Sequence, residues 1–451
     1  MCVLALILAW APMPFGSIVP WSETLLYAAF GLLLAVAAIE LGGQGARAIR
    51  WPALGLLVLG TLGFLQSLAW PRGWLQWLSP EHVRLADGAA GLLGSAPGAV
   101  RLSLAPWASV STALTFLGVA VAMAAGAAVG RERMARRAIL GALVLAGVLE
   151  AFVGAQLWFA RSRTIWGVEV PTQSWRLHGS FVNPDHLASY LEIVLAACSA
   201  WAWWAWRRGA ADARVDRRLL LLAAPSLSWV ALFLALAFTG SRAGMLGAIA
   251  GLIAQGVALA WRNRRFGPAI AGTAVAVLGL LAVAGVGLRE GLGRFAQAGV
   301  TDVSLGARVR LSLGSLTLLR RFPLFGTGLG TFPEAFPLVA PPELAAATWT
   351  HAHNDPAELL ATGGLAAGLC GLFVLGALLR RLWRSLEGGA RSEDRAAALA
   401  CFGALASLGL HELGEFGLTV PATSLTLAVI CGAAAAVPLA ARAEARRRVP
   451  A

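Results

Sequence analysis

The stretch Arg217–Gly244, RRLLLLAAPSLSWVALFLALAFTGSRAG, decides the fold class. Between the pair Arg217/Arg218 and Arg242 lies an apolar run, 219–238, that carries no charged residue. A helical run of about 20 apolar residues crosses about 30 Å, the hydrocarbon thickness of a bilayer. The run is continuous, unlike the alternating segments of about ten residues that build outer-membrane barrels. Comparable runs recur at 1–12, 21–41, 51–70, 107–130, 138–160, 184–206, 218–238, 243–261, 267–288, 355–379, 396–412 and 421–440. The chain is therefore expected to be an all-α integral membrane protein with about 12 transmembrane helices.

Composition agrees. The chain is 58% hydrophobic and 13% charged, with a mean hydropathy of +0.72, too apolar for a water-soluble protein of this length. The first run is short and interrupted by Pro12 and Pro14, so it reads as half a helix or an angled one. Its opening, MCVLALILAW, lacks a basic leader region and reads as a first span rather than a cleaved signal. The cysteines (Cys2, Cys198, Cys370, Cys401 and Cys431) are dispersed and show neither a disulfide framework nor a zinc spacing.

All 36 basic residues are arginine, and the formal charge is +13. They sit in short clusters between apolar runs, the placement that the positive-inside rule produces, so no nucleic-acid partner is expected. Arg47/Arg50, RERMARR (131–137), RRGAADARVDRR (207–218), RNRR (262–265), RRLWRSLEGGARSEDR (380–395) and RAEARRR (442–448) fall on one set of connections. That set is expected to be cytoplasmic, together with both termini. The opposite face carries the longer connections 71–106, 162–183 and 289–354 and every notable polar motif. An active face on the periplasmic or extracellular side follows. The expected organisation is an N-terminal transmembrane bundle over 1–175, a catalytic membrane region over 176–440 and a basic cytoplasmic tail over 441–451. The catalytic region includes loop 289–354.

Four motifs gather there. In RLHGSFVNPDHLASYLE (176–192), Asn183 and Pro184 are a helix-start signal, and Asp185 complements the helix dipole. Capping leaves Arg176, His178 and His186 unexplained. In FTGSRAG (238–244), Arg242 sits at a membrane boundary among small residues. It either snorkels to the headgroups or serves an anion, for which its planar fork is suited. In the long loop, Leu305, Val309, Leu313, Leu316 and Leu319 follow helical spacing and predict an amphipathic helix at the interface. Arg308 and Arg310 on it are solvated charges or anion ligands. The glycines of PLFGTGLGTF (323–332) have no preceding strand and no following GK[ST], which rules out a nucleotide loop.

The fourth motif, HAHNDPAELLATGGLAAG (351–368), holds two of the six histidines. It lacks HExxH or Cys spacing, and on a helix its two imidazoles diverge, which argues against a metal. Asn354 is expected to cap a helix that starts at Asp355–Pro356 and so to hold His353 at its mouth. A histidine there has the acid–base range of a general base. His351 is either its partner or a bystander. A fifth patch, HELGEFGLTVPA (411–422), reads as structural rather than catalytic.

As an ordered set over roughly 176–422, these five motifs resemble the O-antigen ligase and O-antigen polymerase superfamily. The resemblance implies a GT-C-like membrane glycosyltransferase without cofactor or metal. Its donor would be a glycan carried on undecaprenyl pyrophosphate, transferred with inversion at the anomeric carbon. A ligase uses lipid A-core as acceptor, a polymerase a second lipid-linked glycan, and a third branch a protein. By motif position, the resemblance makes His353 the general base and places Arg242 and Arg308 on the donor pyrophosphate. Arg176 and Asn183 match a further motif, and His186, Arg310, His351 and Asn354 are expected to line the substrate site. Asp185, Pro356 and Ala367 depart from the usual pattern, with Pro356 bearing on the shape of the acceptor side. A lipid-linked sugar flippase would need internal repeats and midplane charges, and no clear repeat is present. A purely structural subunit would leave the arginines and HxHN without purpose.

Overall fold

The computed structural model describes residues 2–41, 45–94, 99–170, 176–209, 214–263, 274, 305–386 and 392–437. The expected span 267–288, the start of the loop at 289 and the tail 441–451 lie outside these residues. Helices dominate: α1 (Cys2–Trp10), α2 (Pro20–Leu41), α3 (Ala46–Ser67), α4 (Arg72–Leu78), α5 (Pro80–Leu93), α6 (Pro106–Val129) and α7 (Arg133–Phe159) precede the motif region. There follow α8 (Pro184–Gly209), α9 (Val215–Phe238), α10 (Arg242–Asn263), α11 (Leu305–Arg321), α12 (Phe332–Ala335), α13 (Asp355–Leu386), α14 (Ser392–His411) and α15 (Pro421–Ala435). Among the described residues, 7 helices are long and apolar enough to cross a membrane, and Pro20–Val36 and Pro421–Ala435 are shorter apolar helices. The molecule is thus a helical multi-pass membrane protein.

Among the 7 span-length helices α8 is the most buried, and α9, α10 and α14 pack around it. Between apolar helices in lipid, association depends on close packing and interhelical hydrogen bonds rather than on expulsion of water. Both devices are present. Gln255 on α10 donates from Nε2 to the carbonyls of Ala196 on α8 (2.8 Å) and Leu399 on α14 (3.0 Å). At the crossing of α6 and α15, a Cβ on Gly432 would lie 2.0 Å from the Met123 carbonyl oxygen, so only glycine lets the two backbones meet.

Two parts of the loop segments fold in ways the apolar pattern did not show. The connection 71–106 contains α4, α5 and two short strands, β1 (Ala69–Pro71) and β2 (Ala99–Arg101), paired antiparallel. Helix α11 turns Leu305, Val309, Leu313 and Leu316 outward and buries the opposite side, Leu311, Gly314, Ser315 and Leu318. The periodic stripe in the sequence is therefore its exposed face.

The glycine-rich turn after α11 docks into a break in α13. Gly364 adopts φ 66°, ψ −167°, which interrupts the helix and frees backbone groups. The turn takes them up: Thr327 N–H donates to Ala361 O (3.1 Å) and Gly328 N–H to Thr362 O (2.9 Å). In return, Leu365 N–H donates to Pro323 O (2.9 Å) and Ala366 N–H to Leu324 O (3.1 Å). This exchange fixes α11 relative to the helix that begins beside the histidine pair.

Candidate active site

The site is assembled at one end of the bundle, where α8, α10 and α13 begin and α14 ends. Asn183 opens α8 as the sequence predicts: its Oδ1 accepts from Asp185 N–H at 2.9 Å. Asn354 does the same for α13, accepting from Ala357 N–H at 3.0 Å, while its Nδ2 lies 3.3 Å from Ser312 Oγ on α11. Each cap satisfies a backbone donor that the helix itself leaves unpaired. Asn354 thereby also ties the start of α13 to α11.

Arg176 is buried and committed in the same manner. Its Nη2 donates to Asp185 Oδ1 at 2.6 Å and its Nε to Thr239 O at 2.6 Å. The bond to Thr239, with Leu177 N–H on Phe238 O at 2.9 Å, draws the α9–α10 corner against the start of α8. Arg242 follows directly as the first, exposed residue of α10. His178 sits between these elements, and burial pushes its imidazole below the ordinary value.

The histidine pair converges on a residue from the fifth patch. The His351 ring stacks on Phe416, with centroids 4.3 Å apart and planes 16° apart. His353 meets the same ring edge-on at 4.8 Å and 87°, and His186 at 4.6 Å and 83°. Phe416 thus spaces three imidazoles contributed by α8 and by the segment before α13. The two histidines of HxH turn to different carboxylates: His351 Nδ1 lies 3.1 Å from Glu358 Oε1, and His353 Nδ1 lies 3.2 Å from Glu415 Oε2.

Glu415 is the junction. It is 1% exposed, and its other oxygen forms an ion pair with Arg308. Arg308 Nη1 also donates to Gly414 O at 2.8 Å. One carboxylate therefore joins the arginine of α11 to the histidine of HxHN. The turn that carries it is itself pinned: Asp355 N–H donates to Glu412 O (3.0 Å), Leu418 N–H to Asp355 Oδ2 (3.1 Å) and Gly417 N–H to Glu412 Oε2 (2.6 Å). His353 adopts φ 49°, a left-handed conformation that is uncommon outside glycine. Such a backbone persists only where the surroundings over-determine it, and it concentrates at functional sites.

Of the residues singled out in the sequence, the structure brings His186, His351, His353 and Arg308 into one cluster around Glu415 and Phe416. Arg242 opens α10, shortly after the Thr239 carbonyl that Arg176 holds. Arg310 is exposed and stands apart, because two residues along a helix point to nearly opposite sides. Glu415 and Phe416 come from the patch 411–422, expected to be structural, and here they meet His353, His351 and His186. Their acidic and aromatic pairing inside a glycine-flanked turn, GEFG, was the available signal.

Searches for relatives bear on the same region. No curated protein matches the chain. A family model described as O-Antigen ligase matches residues 227–372, which run from α9 through the histidine pair into α13. That match covers part of the chain and, with the ordered motifs, makes this region of the multi-pass helical protein similar to the O-antigen ligase superfamily.

Proposed function

We propose that this chain is a membrane glycosyltransferase that moves a glycan from undecaprenyl pyrophosphate to an acceptor hydroxyl. The acceptor of a ligase is lipid A-core. The carrying observation is the Glu415 carboxylate shared between His353 and Arg308. With Nδ1–H donated to Glu415, His353 presents Nε2 as a free lone pair, the tautomer a general base requires. The acceptor hydroxyl gives its proton to Nε2, and its oxygen bonds the anomeric carbon from the face opposite the leaving group. The anomeric C–O bond then breaks, and its electrons leave with undecaprenyl pyrophosphate.

The departing charge needs fixed positive groups rather than a general acid, because pyrophosphate is a good leaving group. Arg242 and Arg308 are assigned that role, with guanidinium forks matched to phosphate oxygens. In this reading Arg308 passes from Glu415 to the donor, and Glu415 remains on His353. The positive-inside pattern supports a periplasmic site in the inner membrane with both termini cytoplasmic. The N-terminal bundle 1–175 would serve as scaffold for the catalytic region 176–440, in a GT-C-like arrangement of about 12 spans.

The test is a chromosomal deletion complemented by wild type or His353→Ala. Wild type restores glycan attachment, and the variant inserts normally but transfers at least about 100-fold more slowly. Wild-type turnover by His353→Ala would remove the proposed base. Lipid-linked polymer accumulating without attachment to lipid A-core identifies a ligase. Single repeats attached without chains identify a polymerase.

A further inference from the structure

The end of the bundle opposite the histidines holds a second concentration of charge. Asp185 and Trp204 lie about 28 Å apart along α8 at the helical rise, so this end is one bilayer thickness away. There the first turns of α7 and α14 converge on the end of α8 and enclose a cavity of about 180 Å³. Its wall is apolar, built from Leu140, Trp201 and Trp204, and its rim carries Arg133, Arg136, Arg137 and Glu393.

Among the described residues, charge at the rim does not cancel. Arg136 is buried, pairs with Asp394 and donates from Nη1 to the carbonyls of Gly130 (2.6 Å) and Arg131 (2.9 Å). Arg137 pairs with Glu393 and lies 5.3 Å from the Trp204 ring centroid. Arg208 approaches the same ring at 5.6 Å and Glu393 at 3.9 Å. Four guanidinium groups thus surround two carboxylates. Arg133 is exposed on the rim and has no acidic partner among the described residues.

We propose that this cavity binds an anionic phospholipid of the surrounding bilayer. Its phosphodiester sits on Arg133 and Arg137, and one acyl chain lies along Leu140, Trp201 and Trp204. The ligand has to satisfy both halves of the site. A free anion would use the rim and leave the apolar wall unfilled, while a zwitterionic lipid would fill the wall and leave the surplus positive charge. Arginine forks match phosphate oxygens, indole rings rest at headgroup depth, and basic pockets between helices hold anionic headgroups. Trp204, flanked by two guanidinium groups, keeps both at the mouth of the cavity through its ring face.

The experiment uses the full-length protein and counts retained lipids by native mass spectrometry, offering phosphatidylglycerol or phosphatidylcholine. Phosphatidylglycerol is expected to be retained preferentially. Arg133→Gln, which breaks no ion pair among the described residues, should weaken that retention about fivefold. Trp204→Ala should reduce retention of both lipids. Millimolar inorganic phosphate should neither displace phosphatidylglycerol nor raise the melting temperature. Equal retention of the two lipids, unchanged retention by Arg133→Gln, or stabilisation by inorganic phosphate matching that by phosphatidylglycerol would each overturn the proposal. Glycan transfer is not the readout, so the result stands apart from the chemistry proposed at the other end.

Discussion

Two histidine–carboxylate pairs lie close together in this protein, and they differ mainly in access. His353 and Glu415 meet at 3.2 Å, with 13% of the histidine side chain exposed. His411 and Glu192 meet at 2.6 Å, with both side chains 0% exposed between α8 and α14. Ser189 links the second pair to the first turn, lying 3.3 Å from His411 Nδ1 and donating to Glu412 Oε1 at 3.0 Å. The bonding chemistry is the same, yet of the two histidines only His353 keeps part of its side chain exposed. A buried pair of this kind specifies how helices register, because removing one partner strands the other in a low-dielectric interior.

The comparison is sharpened most by replacing the carboxylates. Glu415→Gln should lower kcat about 100-fold with normal insertion, since a glutamine no longer favours the imidazolium formed at His353. A variant with undiminished kcat would reduce Glu415 to a packing residue. His411→Ala should behave in the opposite manner: folded enzyme turns over normally, but stability falls by about 3–5 kcal/mol. Replacing both His411 and Glu192 by leucine should recover much of that loss, and a double variant as unstable as the single one would contradict the account. Arg242→Lys is expected to raise KM for the lipid-linked donor about tenfold, because a point charge cannot make the forked contact. Phe416→Leu should have the smallest effect, a few-fold loss in kcat as the three imidazoles lose their common spacer. Unequal changes in kcat and KM would show which side of the site the ring serves.

Seven of the expected spans were legible because each contains a continuous run of apolar residues long enough to cross a bilayer. The capping roles of Asn183 and Asn354 were legible too, since a cap acts within three residues of itself. Glu415 was not. Its partners lie in α11 and before α13, and the bond to His353 spans a separation of 62 residues that local pattern does not report. The ion pair of Arg176 was hidden for a related reason. Its motif position suggested a ligand contact, whereas the nearby Asp185, assigned to the helix dipole, is its ion-pair partner. The outward stripe of α11 shows the complementary limit: in a bilayer an apolar periodicity marks a lipid-facing side as readily as a core.

The break at Gly364 has a consequence for biogenesis. A chain is synthesised from its N-terminus, so α11 and the turn 323–328 emerge before the second half of α13 that supplies Leu365 and Ala366 as donors. Until then the turn lacks half of the hydrogen bonds that anchor it, and Arg308 has no carboxylate to meet, because Glu415 comes later still. The ribosome has to extend the chain past residue 415 before these groups can come together. A nascent or truncated chain ending before residue 415 would therefore leave Arg308 and His353 without the carboxylate that joins them.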